Sequence, residues 1–309
     1  MKILSSLLEN PILARSLDNR RLSWRVVAAL GLALLTYSPA GVVILSLIIA
    51  TLGIILLNPN ELFDIATQFL ANNLDEVGRT VFLISALFAL ICVTLFSPTL
   101  SAGTIAGERQ RQTLDLLLIT LLPARSIIAG KLGAALIYTL LLIAAVWPLF
   151  LLCLLTGGVA LIELGVILLL LLTTAVAFSA IGIFVSSLSR SITTAMMLTY
   201  GVALPLFFIG PFLGMLPVTI LLNLIDASYE FQTWVNFYGW SLAASLNPIS
   251  AAVYSAILRE TWGGFLVAAV ETDGTYYLIF PWLTYIIFYS FMAWFLMRLT
   301  IRRLEKVSQ

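Results

Sequence analysis

The sequence contains no histidine, only two cysteines and few charged residues, which make up 10% of its 309 residues. The absence of histidine excludes imidazole metal ligands, imidazole general bases and proton relays through imidazole. Cys92 and Cys153 lie in apolar runs without the spacing of a metal site, and we predict that they are reduced packing residues. We therefore predict no catalytic residue, no metal ligand and no enzymatic activity for this chain.

Hydrophobic residues are abundant instead: they make up 61% of the chain, and the mean hydropathy is +1.08. A soluble domain has about 45–50% apolar and about 25% charged residues. The apolar runs are continuous and lack the alternation of barrel strands. The composition therefore predicts a helical integral membrane protein, and it excludes a disordered chain, a nucleic-acid binder and a disulfide-linked secreted domain.

Six apolar runs are long enough to cross a bilayer core of about 30 Å, which requires about 20 helical residues. The predicted spans are 26–57, 80–102, 127–156, 161–188, 192–222 and 277–299. Residues 1–25 combine five basic residues with interspersed leucine and isoleucine, which is typical of an amphipathic helix in the membrane interface. We thus predict an all-α polytopic protein, with an interfacial segment 1–25 followed by a six-span domain over 26–309.

The charged residues divide unequally between the two sides of the predicted spans. Residues 1–25, the 103–131 connection, the turn at Arg190 and the tail from Arg298 hold 14 of the 16 basic residues. The other side holds two basic residues and ten of the fifteen acidic ones. Because cytoplasmic loops carry an excess of lysine and arginine, this distribution predicts a multi-pass protein of the cell membrane with both termini in the cytoplasm.

The centres of the predicted spans contain no charged residue, whereas ion-coupled carriers usually have such residues at membrane depth. Gly130-Lys131 is followed by leucine and is therefore not a phosphate-binding loop of the GxxxxGK[ST] type. Energy for active transport would have to come from another polypeptide. A secondary carrier or channel without an ATPase partner is the alternative, and a polytopic membrane enzyme is disfavoured because no catalytic cluster is visible.

The connection between the second and third spans has an amphipathic pattern over residues 108–121. Its apolar positions recur at helical spacing and are Leu114, Leu117, Leu118 and Leu121. Glu108, Arg111 and Asp115 are three and four residues apart and can pair on another face. Pro123 ends the predicted helix. By pattern alone, a solvated cytoplasmic turn is an equal alternative to a binding helix.

The same connection resembles the type-two permease family of ABC transporters, in which a motif of the form AGxIAGERExGTLDLLLxTPLSRxxIxxGK joins spans two and three. The matching residues are Ala102, Gly103, Ile105, Ala106, Gly107, Glu108, Arg109, Thr113, Leu114, Asp115, Leu116, Leu117, Thr120, Pro123, Arg125, Gly130 and Lys131. The sequence departs from the motif at Gln112, where the family usually has glycine, and at Leu121-Leu122. Residues 9–15 and 247–249 also resemble family positions.

This resemblance implies the permease subunit of an ABC transporter of the exporter type. Two permease subunits would pair, as a homodimer or a heterodimer, and each would bind a separate ATP-hydrolysing subunit that carries the ATP and Mg²⁺. The helix 108–121 would be the coupling helix, and residues 1–25 the elbow helix near the same partner. The residues expected to contact the ATPase are Glu108, Arg109, Arg111, Leu114, Asp115, Leu117 and Leu118. No cofactor is expected in this chain itself.

The predicted fifth span is rich in proline and glycine, and proline inside a span kinks the helix. The candidates for a bendable gate are Pro205, Gly210, Pro211, Gly214 and Pro217. A static kink is the alternative. The apolar walls favour an amphipathic or lipid-like substrate over a small ion.

Two further segments leave alternatives open. In span four, Ala175, Ser179, Gly182 and Ser186 have the spacing that lets helices approach closely, which fits packing within the subunit or a dimer seam. Residues 223–276 contain many aromatic and charged side chains. The family resemblance suggests short re-entrant helices there, and an aromatic belt at the membrane interface is the alternative.

Overall fold

Long helices account for most of the residues that the computed structural model describes, which are 62–114, 123–208, 220, 222–224, 229–264, 266–271 and 275–307. The helices are α1 Leu62–Gln110, α2 Ala124–Leu155, α3 Leu161–Leu188, α4 Ile192–Phe208, α5 Tyr229–Ala244, α6 Pro248–Trp262 and α7 Pro281–Val307. An antiparallel hairpin of β1 Val267–Glu271 and β2 Thr275–Ile279 precedes α7. The helical architecture is confirmed, whereas the hairpin was not predicted.

Within the part of the chain that the structure describes, four helical segments are long and apolar enough to cross a membrane. They are Asp75–Gln110, Ala124–Leu155, Leu161–Leu188 and Pro281–Lys306, and they overlap with the second, third, fourth and sixth predicted spans. The predicted start of the sixth span at residue 277 is wrong, because residues 277–279 belong to β2. Helix α1 is much longer than its predicted span 80–102, because the helix continues beyond the apolar run at both ends. Helix α4 covers only the first part of the predicted span 192–222. Residues 1–25 and the span 26–57 lie outside the described residues, so the count of six stays a prediction.

The region 223–276, for which short helices were expected, contains α5, α6 and the hairpin. Asn247 starts α6 as its N-cap, and its side chain accepts from the N–H groups of Ile249 (2.7 Å) and Ser250 (3.3 Å). Pro248 follows at the first helical position, where its missing N–H costs nothing. The resemblance at residues 247–249 thus coincides with a helix start.

Helix α3 lies at the centre of the described bundle and packs against α1, α2, α4 and α7. Its small residues face α1. A Cβ added at Gly182 would lie 3.1 Å from the Pro98 carbonyl oxygen, and Ser186 Oγ accepts from the N–H groups of Ile105 (3.0 Å) and Ala106 (2.9 Å). This part of the small-residue stripe therefore serves packing within the subunit, the first of the two alternatives.

The bundle has two chemically different ends. At the basic end, a buried apolar cluster joins α1, α2, α3 and α7 with Leu114, through Ile105, Ile128, Ile183 and Leu304. At the acidic end lie the α2–α3 turn, the start of α3 with Glu163, and α6 with Glu260. Helix α7 connects the two ends, and its Tyr285 hydroxyl bonds that of Thr174 in α3 (2.8 Å).

Candidate functional site

Helix α1 ends at the basic end in a Schellman motif. The N–H of Thr113 donates to the Glu108 carbonyl (2.9 Å), and the N–H of Gln112 donates to the Arg109 carbonyl (3.1 Å). Gln112 has a φ of +57°, the left-handed conformation that this motif requires and that glycine adopts at least cost. The departure from the family motif at Gln112 therefore falls on a residue whose backbone conformation favours glycine.

The predicted helix 108–121 is consequently wrong at its start. Residues 108–110 form the last turn of α1, the chain turns at residues 111–113, and helical structure resumes at Leu114. The amphipathic pattern contains no helix-stop signal at this break, since neither proline nor glycine lies at residues 111–113. Residues 115–122, which include most of the predicted apolar stripe, lie outside the described residues.

Glu108 forms an ion pair with Lys131 of α2 that is largely hidden from solvent. Lys131 Nζ lies 2.8 Å from Glu108 Oε1 and donates to the Thr104 carbonyl at 2.7 Å. The Lys131 side chain is only 7% exposed, whereas that of Glu108 is 32% exposed. Removing one member of a buried pair leaves an uncompensated charge at a cost of about 3–5 kcal/mol. Lys131 therefore depends on Glu108 to compensate its buried charge. Glu108 pairs with this residue of another helix, and not with Arg111, which its spacing had also allowed.

The next two residues of α1 bind the ends of two other helices. Arg109 Nη1 donates to the carbonyl of Ser189 (2.8 Å), the C-cap residue of α3. Gln110 Oε1 accepts from the N–H of Ile192 (3.1 Å), the first residue of α4. A cation at a helix C-terminus and an acceptor at an N-terminus satisfy backbone groups that have no partner within their helices.

Three consecutive residues thus contact three different helices: Glu108 contacts α2, Arg109 contacts α3, and Gln110 contacts α4. We call residues 108–110 the clasp. Beneath it, Leu114 is 5% exposed and packs in the apolar cluster of the basic end. Because the clasp lies at the start of the α1–α2 connection, it links that connection to α2, α3 and α4.

The acidic end has ion pairs of another kind. Arg79 of α1 pairs with Glu260 of α6 at 3.0 Å, with side chains 38% and 57% exposed. Arg259 pairs with Glu163 in the first turn of α3, whose carboxylate also accepts from the N–H of Ala160 (3.2 Å). The contacts of Glu163 are those of a helix-capping residue at a span end.

The family comparison now bears directly on this architecture. A sequence model described as ABC-2 family transporter protein matches residues 36–257, more than two thirds of the chain. The chain belongs to the ABC-2 transporter family. It is therefore a multi-pass membrane subunit of an ABC transporter, as the motif at residues 101–131 predicted. A search of curated proteins found no match.

Within this ABC-2 subunit, the predicted ATPase-contact residues fall into three groups. Glu108 and Arg109 belong to the clasp, and Leu114 is buried in the cluster beneath it. Arg111 is exposed at the turn. The remaining three residues, Asp115, Leu117 and Leu118, lie outside the described part of the chain. Among the described residues, no group of three or more acidic or cysteine side chains could hold a metal ion.

The predicted gate residues of the ABC-2 subunit are described only in part. Pro205 lies inside α4 and is exposed, three residues before the end of the described helix. Gly210, Pro211, Gly214 and Pro217 fall in the range 209–219, which lies outside the described residues. The gate therefore stays a prediction.

Sequence reasoning missed the internal role of four residues at this site. Lys131 was considered only as part of a motif, and Gln110, Ser186 and Ser189 were given no partner at the basic end. For Lys131 a signal was available: it is a lysine inside an apolar helix, near a connection whose motif contains one glutamate. The partners of Gln110 and Ser189 are backbone groups, and no residue type in the sequence identifies them.

Proposed function

We propose that this ABC-2 subunit is the permease of an ABC exporter in the cytoplasmic membrane, with both termini in the cytoplasm. Two permease subunits would pair, and a separate ATP-hydrolysing subunit would dock on residues 108–121. That partner would bind the ATP and Mg²⁺. The observation that supports this proposal best is the clasp, which connects the start of the expected docking segment to three other helices.

The orientation is supported by the chemistry of the two ends. The basic end contains Arg109, Arg111, Arg125 and Lys131 together with the C-terminal residues of α7. The acidic end has Arg79 and Arg259, and both are paired with glutamates. An unequal distribution of this kind favours a cytoplasmic basic end.

The mechanism follows from the rigidity of the clasp. When the ATPase closes, it would displace the α1–α2 connection as a unit, and the clasp would transmit this displacement to α2, α3 and α4. A buried ion pair with a second bond to the Thr104 carbonyl resists stretching, so the helices are expected to move as levers between two packing arrangements. The proline and glycine residues after Pro205 would provide the bend that opens or closes the path.

Family membership favours this permease over the alternative of a secondary carrier or channel, because ABC-2 proteins are transport subunits. The substrate is proposed only as a class, an amphipathic or lipid-like molecule. This choice follows from the apolar character of the spans and from the scarcity of charged groups within them.

Copurification with the ATPase tests the docking assignment. The full chain is coexpressed with a Walker-motif ATPase subunit, and Leu117→Asp with Leu118→Asp is compared with Leu117→Met and Leu118→Met. Charge in a dry protein interface costs several kcal/mol, whereas the methionine pair conserves volume and polarity. We expect the aspartate variant to insert normally and to lose the ATPase, and the methionine variant to keep it. Retention of the ATPase by both variants would contradict docking at this segment.

A further inference from the structure

A basic cavity of about 380 Å³ lies at the basic end between the start of α2 and the last turns of α7. It is lined by Arg125, Trp294, Met297, Arg298, Ile301, Arg302 and Glu305. Its size falls in the range of about 300–1,000 Å³ that is usual for small-molecule sites. Among the described residues that line it, three arginines and one glutamate give an excess of positive charge. The clasp and the expected ATPase contacts do not include any of these residues.

The outer face of α7 leads directly into this cavity. Phe291, Trp294 and Phe295 are 63%, 50% and 48% exposed, and Arg298 and Arg302 follow on the same side at helical spacing. Seven residues separate Phe291 from Arg298, which corresponds to about 10 Å along the helix axis. One continuous stripe therefore changes from aromatic to basic over the distance from the acyl chains to the headgroup of a lipid.

Trp294 stands at the boundary between the two parts of the stripe. The Arg298 guanidinium lies 4.4 Å from the centre of the Trp294 ring, a cation–π contact that holds the arginine over the cavity. Tryptophan prefers the headgroup level of a bilayer. The ring thus fixes the depth at which the arginines meet the membrane surface.

We propose that this cavity binds the headgroup of an anionic phospholipid, with the acyl chains along the aromatic part of the α7 stripe. Arginine guanidinium groups match phosphate oxygens in geometry and charge. Basic pockets between membrane helices bind anionic headgroups on this principle. The continuity with an exposed apolar helix face selects a lipid over a soluble phosphate compound, which would make no use of Phe291 or Phe295.

Native mass spectrometry of the purified full chain tests this proposal with phosphatidylglycerol and phosphatidylcholine as probes. The cavity variant is Arg298→Gln with Arg302→Gln. The matched control is Arg303→Gln with Lys306→Gln, which removes the same charge from exposed positions of the same helix that do not line the cavity. A third variant, Arg125→Gln, tests the contribution of α2 independently of α7. Thermal unfolding midpoints establish that each variant is folded.

We expect the unmodified chain and the control to retain phosphatidylglycerol in preference to phosphatidylcholine. The cavity variant should bind phosphatidylglycerol roughly 30-fold more weakly, and Arg125→Gln roughly fivefold more weakly. Equal weakening in the cavity variant and the control would overturn the proposal, because it would show a diffuse charge effect. Displacement of the lipid by equimolar inorganic phosphate would also overturn it, since the site would then recognise phosphate without a lipid.

Discussion

The two ends of the bundle are held together by different means. At the basic end, side chains reach from α1 to three other helices, and the central lysine is 7% exposed. At the acidic end, the Arg79–Glu260 pair is largely exposed, and the α2–α3 turn packs closely against the backbone of α1. A Cβ added at Gly158 in the α2–α3 turn would lie 2.7 Å from the Arg79 backbone nitrogen. Side-chain bonds tie α1 to three other helices at the basic end, whereas the acidic end combines two pairwise ion pairs with a close backbone contact.

The largest effect is expected at the buried ion pair. Lys131→Met leaves the Glu108 carboxylate without its partner, so we expect the free energy of unfolding to fall by about 3–5 kcal/mol. Denaturant or thermal unfolding of the solubilised full chain measures it. Adding Glu108→Gln removes the uncompensated charge, and the double variant should recover most of the loss. If the double variant is as unstable as the sum of the two single ones, the residues do not act as a pair.

At the acidic end, the corresponding test is Gly158→Ala. The new methyl group meets the backbone of α1, which cannot move aside without shifting the helix, so we expect a loss of about 2–3 kcal/mol. Gly165→Ala is the matched control, because a Cβ there meets nothing within 4 Å. Thermal unfolding should leave the control unchanged or slightly more stable. Equal midpoints for the two variants would contradict the close backbone contact.

A gain in stability is expected where the basic end is locally strained. Gln112→Gly places the residue with the least steric cost at a φ of +57°, which should stabilise the Schellman motif by about 1 kcal/mol. Gln112→Ala keeps the strain and serves as the control. A rise in the unfolding midpoint is expected for glycine alone, and a fall for glycine would show that the left-handed turn is not the native conformation.

The smallest effect is expected at the exposed ion pair. Arg79→Gln removes a partner of Glu260 that is already solvated, so a change of only about 0–1 kcal/mol is expected. High salt should reduce even this difference, while it should change the Lys131→Met result little, since buried pairs are weakly screened. A loss at Arg79 equal to that at Lys131 would remove the distinction between the two ends.

The sequence was sufficient for the parts of this architecture that depend on continuous apolar runs. Four predicted spans overlap with helices, and the motif at residues 101–131 led to the ABC-2 family, whose sequence model matches residues 36–257. Hydropathy reports burial in lipid, and it is insensitive to polar residues that continue a helix beyond the membrane. For that reason α1 extends well past both limits of its predicted span.

Local geometry at the basic end could not be predicted for a different reason. The end of α1 is set by the φ of Gln112, a residue that gives no helix-stop signal. For this reason the sequence pattern predicted one helix that began at Glu108. The hairpin before α7 was not predicted, because the aromatic residues of this region fit either an interfacial belt or a helix. The bonds of Arg109 and Gln110 go to backbone groups, which exist at every position and carry no sequence information.

The central claim is that the clasp transmits motion from the ATPase to the helices, and ATPase turnover of the reconstituted complex tests it most directly. The variant is Glu108→Gln with Lys131→Met, which is expected to fold without the buried ionic link. Because Glu108 also lies in the expected docking segment, copurification with the ATPase is measured in parallel. If the clasp couples the subunits, stimulation of turnover by the permease should fall roughly tenfold, within the usual range of coupling energies. Turnover stimulated to the unmodified level, in a complex that remains intact, would contradict the account.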